Sequence, residues 1–197
     1  MFHNIAMAKK KKEEAPNDNL EEKEEKFDAS VINRNVIAES SDITRDIYDK
    51  SRFGEPIDKN KFQYALIEAM YLLEREKINI YLKNKLLSFD MFLKIANNLE
   101  KDFWIRYRVY RDLRKRGYIV KTALKFGADF RVYDRGVKPG EDHAKWIVYP
   151  VHESENLTWY EFSAKNRVAH STRKSLLIAI VDEEGDCTFY ECFWRRP

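Results

Sequence analysis

At 197 residues the chain suits one large domain or two small ones, and its 44% hydrophobic and 35% charged residues allow a core beneath a heavily charged surface. No apolar run nears the roughly 18 residues of a membrane span, and the opening MFHNIAMAKKKKEEAP sets its basic residues after a short apolar piece, the reverse of a secretory signal, so a cytoplasmic protein with no membrane partner is expected. The formal net charge of +3 is unevenly spread: residues 103–145 hold twelve Lys and Arg against five Asp and Glu, which fits either a polyanion-binding surface or a solvated helix face.

Residues 1–27 are mostly Lys, Glu, Asn and Asp, too polar to offset their ordering entropy, and are expected to be disordered. DASVINRNVIAES and ITRDIYDKSRFGE then read as short strands and turns. NKFQYALIEAMYLLEREK reads as one amphipathic helix, with Phe62, Ala65, Leu66, Ala69, Met70 and Leu73 on a stripe. INIYLKNKLLS reads as a strand and a turn, after which Ser88 offers an N-cap for FDMFLKIANNLE. Residues 101–116 continue as helix, with Phe103, Tyr107 and Tyr110 near one stripe and Gly117 to end it.

Beyond Gly117 the period changes. YIVK, LKFGADFRVY, KWIVYPV and LTWYEFS read as strands, Ser163 as the cap of a helix AKNRVAHSTRK, and SLLIAIVD–EEGD–CTFYECFW as a hairpin. The expectation is an α/β (α+β) chain of two small mixed domains: residues 28–100, rich in helix, and residues 101–197, rich in strand.

Chemistry concentrates in FGADFRVYDRGVKPGEDHAKW. Tyr133 closes an alternating strand, and His143 precedes the next apolar run across a charged loop. A lone strand-end Tyr or loop His is most often structural. A helix starting at Ser163 would add Arg167, His170 and Lys174 at i, i+3 and i+7, a cationic face suited to phosphate. Other frames fit poorly. GxxxxGK[ST], GxSxG, HExxH and CxxC are all missing from the sequence, and Cys187 and Cys192 are expected to be free thiols in a reducing compartment. Asp129 could serve a metal-dependent nuclease, but Glu141 stands four residues from Lys145, the wrong spacing. Tyr, His, Lys and Arg suit RNA cleavage without metal or other cofactor, because the ribose 2′-OH is itself the nucleophile.

KFGADFRVYDRG, a His ten residues after its Tyr, and NRVAHSTRKSLLIAIVDEEGD together resemble the catalytic domain of archaeal tRNA-splicing endonucleases. FGE followed by ALIEAMYLLEREK resembles that family's N-terminal domain. The resemblance runs from residue 28 to 197. It implies that Tyr133 is the general base on the 2′-OH, His143 the acid for the departing 5′-oxygen and Lys174 the charge stabiliser, leaving a 2′,3′-cyclic phosphate and a 5′-hydroxyl. His170 competes for the acid role. The implied substrate is precursor tRNA with a bulge–helix–bulge. Arg167 matches the family's recognition Arg, with Trp194, Arg195 or Arg196 as its partner around a flipped base. Asp182, Glu183, Glu184 and Asp186 crowd one turn and need solvent or cations. In the homotetrameric type that the chain resembles, such an acidic loop enters a basic cleft of the opposite dimer. The rival readings are a noncatalytic RNA-binding subunit and a metal-dependent DNA nuclease on a similar fold.

Overall fold

A computed structural model describes residues 25–123 and 127–195. The expected disorder of residues 1–27 lies almost wholly outside these residues, as do Leu124, Lys125 and Phe126 of the expected strand and Arg196 near the end. The architecture is a two-domain mixed α/β fold, as the sequence implies.

The first sheet has the order β3-β4-β2-β1-β5-β6. It is built from β1 (Phe27–Ile32), β2 (Asn35–Glu39), β3 (Glu55–Pro56), β4 (Lys61–Ala65), β5 (Ile78–Leu82) and β6 (Lys85–Leu86). The second has the order β11-β10-β9-β8-β7, from β7 (Ile119–Thr122), β8 (Phe130–Tyr133), β9 (Trp146–His152), β10 (Ser175–Val181) and β11 (Cys187–Cys192). Among the described residues five helices accompany them: α1 (Asp42–Ser51), α2 (Leu66–Glu74), α3 (Phe89–Leu99), α4 (Phe103–Lys115) and α5 (Trp159–Ser171). Among the described residues no helix is long and apolar enough to cross a membrane.

Four local expectations are corrected. Residues 42–51 are helix, not strand and turn. Ser41 accepts from the Thr44 N–H at 3.2 Å while Thr44 Oγ1 accepts from the Ser41 N–H at 2.8 Å, a reciprocal cap with Thr where Glu or Gln is usual. The expected helix from Asn60 divides at Ala65. Phe62 and Tyr64 are buried between exposed Lys61 and Gln63, the period of a strand, and α2 begins only at Leu66. From Leu66 to Leu72 every residue of α2 is buried, so it is a central helix with no solvent stripe. α4 does not continue α3, because Asp102 takes a left-handed φ of 52° between them. LTWYEFS is not a strand. Thr158 accepts from the Glu161 N–H at 3.2 Å and Glu161 Oε2 accepts from the Thr158 N–H at 2.9 Å, so α5 starts five residues ahead of the expected Ser163 cap. The Ser88 cap of α3 is as expected, accepting from the Met91 N–H at 3.3 Å.

One continuous core runs through both sheets. Met70 of α2 and Tyr107 and Tyr110 of α4 lie in the same apolar cluster as Phe27, Val36 and Ile80 of the first sheet and Phe130, Val132 and Val148 of the second. At the junction sits a buried ion pair. Lys121 of β7 donates to Glu68 Oε1 of α2 at 3.0 Å and to the Gly54 carbonyl at 2.9 Å, and both charged side chains are 7% exposed. Glu68 Oε2 also accepts from the Ala65 N–H at 3.1 Å at the start of α2. Gly54 has φ +71°, and a Cβ there would meet the Tyr64 ring at 2.7 Å, so only glycine lets the carbonyl come this close.

Removing one partner of such a pair leaves an uncompensated buried charge. Glu68→Ala is expected to destabilise the protein by about 3–5 kcal/mol in urea unfolding, and the apolar double change Glu68→Leu/Lys121→Met by clearly less. A Glu68→Ala protein as stable as the parent would show that the pair does not hold the halves together.

Candidate active site

Three strand ends converge at one edge of the second sheet. β8 runs antiparallel to β9 with Val132 opposite Trp146, and β9 runs parallel to β10 with Trp146 opposite Ser175. The residue after Val132 is Tyr133, the residue before Ser175 is Lys174, and His143 stands three before Trp146. With neighbouring strands about 4.8 Å apart, the three positions fall within reach of one small substrate group. They line a single cavity of about 400 Å³, together with Arg131, Gly140, Glu141, Asp142 and Ala144.

Each side chain is held differently. Tyr133 is 5% exposed, fixed as the last residue of β8 opposite Ile119. His143 is exposed, and its backbone N–H donates to Asp142 Oδ1 at 2.6 Å. Lys174 is half-buried and donates from Nζ to the Thr172 carbonyl at 2.8 Å. Burial, and next the Arg131 guanidinium, hold its ammonium below the usual lysine range. Lys174 is not on the helix face expected for it. α5 ends at Ser171, Arg173 takes φ 55°, and Lys174 follows in the turn, its N–H donating to the Ala169 carbonyl at 2.9 Å.

The loop between Tyr133 and His143 is closed at its neck. Lys145 donates to Asp134 Oδ2 at 3.0 Å, and the Lys145 N–H donates to the Val132 carbonyl at 2.9 Å. The hydrogen bond from Lys145 holds the Asp134 carboxyl below its usual range, and the same bond holds the Lys145 ammonium above its own. Sequence reading passed over Arg131. Two residues before Tyr133 on one strand, it presents the same sheet face, it lines the same cavity, and its Nε is buried without a hydrogen-bond partner among the described residues. That alternation was the signal that would have found it.

A second cavity of about 420 Å³ shares Lys174 and is lined by Lys145, Asn166, His170, Arg173 and Trp194 among others. The His170 ring lies 4.5 Å from that of Trp194, centroid to centroid. His170 and His143 therefore stand in different cavities, with Lys174 in both. Arg167 is exposed on α5 and Arg195 is exposed after β11, each outside both cavities. Asp182, Glu183, Glu184 and Asp186 form the β10–β11 turn, where Arg108 of α4 donates to the Gly185 carbonyl at 2.6 Å and lies 3.9 Å from Asp186 Oδ1. The acids are thus met in part by a cation of the same chain. Cys187 and Cys192 are free, and burial pushes the Cys187 thiol up to about 11. Among the described residues no three His, Cys, Asp or Glu gather as metal ligands would.

The chain matches two family models. Residues 103–189 match the tRNA intron endonuclease catalytic C-terminal domain, and residues 28–93 match the tRNA intron endonuclease N-terminal domain. Relatives named tRNA-splicing endonuclease include one from Nanoarchaeum equitans, 46% identical over 151 residues, which cover 74% of this chain and 97% of the relative. One from Methanothermobacter thermautotrophicus is 40% identical over 162 residues, covering 82% and 94%. One from Thermococcus onnurineus is 41% identical over 150 residues, covering 76% and 85%.

The two lysines of the second cavity are shifted in opposite senses, which is directly measurable. In an NMR titration of the side-chain amines, Lys174 is expected to lose its proton at lower pH than Lys145. The reverse order would mean that Lys174 is solvated and its desolvation argument fails.

Proposed function

The chain belongs to the tRNA intron endonuclease family, and from that premise we propose that it excises introns by metal-independent cleavage at bulge–helix–bulge junctions. Its activity is that of a tRNA-splicing endonuclease, with precursor tRNA as substrate. One observation carries the chemical reading: Tyr133, His143 and Lys174 line one cavity at the edge of the second sheet.

Tyr133 takes the proton from the ribose 2′-OH, and the 2′-oxygen attacks the adjacent phosphorus. The bond to the 5′-oxygen breaks as His143 supplies its proton, leaving a 2′,3′-cyclic phosphate and a 5′-hydroxyl. Lys174 faces the charge that builds on the phosphoryl oxygens, and the unpartnered guanidinium Nε of Arg131 adds a second donor in the same cavity. His170, held at a tilt against Trp194 in the neighbouring cavity, is better suited to a flanking nucleotide than to the leaving group. Arg167, with Trp194 or Arg195, holds a splayed base by cation–π contact.

We further propose a homotetramer built as a dimer of dimers. β11 is an edge strand whose Tyr190, with the following Phe193, is 56–67% exposed, a surface that needs cover. A receiver for the acidic turn is also available. A cavity of about 310 Å³ between the α1 end and the loop after Tyr133 is lined by Lys50, Arg114 and Lys138, with Phe53, Tyr71 and Tyr118, and among the described residues by no carboxylate.

Tyr133→Phe, His143→Ala and Lys174→Ala are each expected to lower single-turnover cleavage of an intron-containing precursor in EDTA by about 10²–10⁴-fold, with cyclic phosphate at the remaining product ends. Cleavage abolished by EDTA would point instead to metal-dependent hydrolysis. A normal His143→Ala beside an inactive His170→Ala would reassign the acid.

The pH profile follows from the direction of the Lys174 shift. A lysine stabilises phosphorane charge only while protonated, and burial lowers the pH at which Lys174 loses its proton. The alkaline limb of the wild-type rate is therefore expected earlier than an exposed lysine would give, and to move to higher pH in Lys174→Arg. Light scattering tests the assembly: a four-chain mass is expected, falling to two in Asp182→Asn/Glu183→Gln/Glu184→Gln/Asp186→Asn with its fold retained. A wild-type mass of one or two chains would refute the tetramer.

A further inference from the structure

Two of the barest large hydrophobic side chains among the described residues lie outside every element of this scheme. Trp159 is 84% exposed and Tyr160 is 77% exposed, the highest values among the large hydrophobic residues described. Both sit in the first turn of α5. Contiguous bare aromatics of this kind mark interaction sites. Trp159 is held edge-on to the ring of Phe162, with centroids 6.0 Å apart and planes at 87°.

The helix period tells what lies beside them. Tyr160, Ser163, Arg167 and Ser171 are spaced i, i+3, i+7 and i+11, which is one stripe, and all four are exposed. The stripe carries no carboxylate. Glu161, the acid of this helix, is turned away from it and committed to the cap, accepting from the Thr158 N–H at 2.9 Å and the Thr158 hydroxyl at 2.7 Å. Ser171 at its far end adjoins His170, whose ring lies against that of Trp194, and Lys174 of the catalytic cavity follows three residues later. Aromatic rings, one guanidinium, hydroxyls and no acid along a line that ends at the reacting phosphate make a surface complementary to a single strand. Backbone charge suits its cations, and any unpaired base has a π-face for its rings.

We propose that Trp159 and Tyr160 form a stacking platform for an unpaired nucleobase of the RNA substrate, about 16 Å of helix from the catalytic end of α5. The inference rests on the endonuclease reading above. It adds a base-binding position beyond Arg167, at the opposite end of the helix from Lys174. Because the ring supplies the contact, the hydroxyl of Tyr160 is dispensable.

The test uses the full chain and a bulge–helix–bulge RNA with 2-aminopurine placed at each unpaired position in turn. Wild-type protein is expected to quench one position that Trp159→Ala/Tyr160→Ala leaves bright. The double variant should bind the RNA about five- to a hundred-fold more weakly, with kcat at saturating RNA unchanged, while Tyr160→Phe behaves as wild type. Both changes are on the surface, and a matching thermal melt establishes that the variant is folded. Unchanged affinity in the double variant overturns the platform, as does an equal loss on a fully paired duplex. A lowered oligomeric mass with unchanged RNA affinity assigns the face to a second copy and also overturns it. Wild-type protein that neither binds nor cuts the RNA overturns the endonuclease reading itself, whereas normal wild-type cleavage with an indistinguishable variant overturns the platform alone.

Discussion

The parallel pairing of β9 with β10 is the constraint on which the site depends. Parallel neighbours begin at the same edge of a sheet, so the residues that precede them are brought side by side whatever their separation in sequence. His143 and Lys174, thirty-one positions apart, meet for that reason. β8 runs the other way and finishes where they begin, which delivers Tyr133. A parallel pair also needs a crossover, normally a helix, to return the chain to the starting edge. α5 is that crossover, so the element carrying Arg167 and His170 is required by the same pairing that sets the site.

Electrostatics then separates groups that are chemically alike. Lys145 and Lys174 flank the same cavity, yet an exposed carboxylate steadies the charge of one and burial strains the charge of the other. The first closes the loop neck and has a structural task. The second is left with a backbone carbonyl as its hydrogen-bond partner and a guanidinium nearby, so an incoming phosphate would offer it the anion that the protein withholds. The same contrast separates the two histidines. His170 lies tilted against an indole, while His143 rides an exposed loop anchored at both ends.

Much of this was legible in the sequence, and the failures share a cause. The alternation through Phe130 and Val132, the apolar run of β10 and the buried stripe of Phe103, Tyr107 and Tyr110 each follow one period and were read correctly. Residues 42–51 and 158–163 were misread because their caps are local hydrogen bonds that a hydrophobic pattern does not register. The Ser41 cap uses Thr44 in place of an acid, and T-W-Y-E carries aromatics that look like strand. Residues 61–65 were misread because Phe62, Ala65, Leu66 and Ala69 satisfy a helix stripe while Phe62 and Tyr64 satisfy a strand. Pairing of Lys61–Ala65 with β2 decided between them, and α2 is buried from Leu66 to Leu72. Arg131 was missed for another reason. Alternation already placed it on the face of Tyr133, but that this face lines a cavity follows from the neighbouring elements and not from residue spacing.

The buried contact of Lys121 with Glu68 and the Gly54 carbonyl has a consequence for how such chains diversify. It makes the two halves a lock and its key, cut together. A front half transplanted from a relative would fit the back half only if it brought an acid at the position of Glu68 and a glycine at that of Gly54. Gly54 in turn has to clear the ring of Tyr64. Surface features such as the α5 stripe and the β10–β11 turn carry no such obligation. In lineage comparisons the seam between the halves should therefore change in concert or not at all, while α5 and the acidic turn drift one residue at a time.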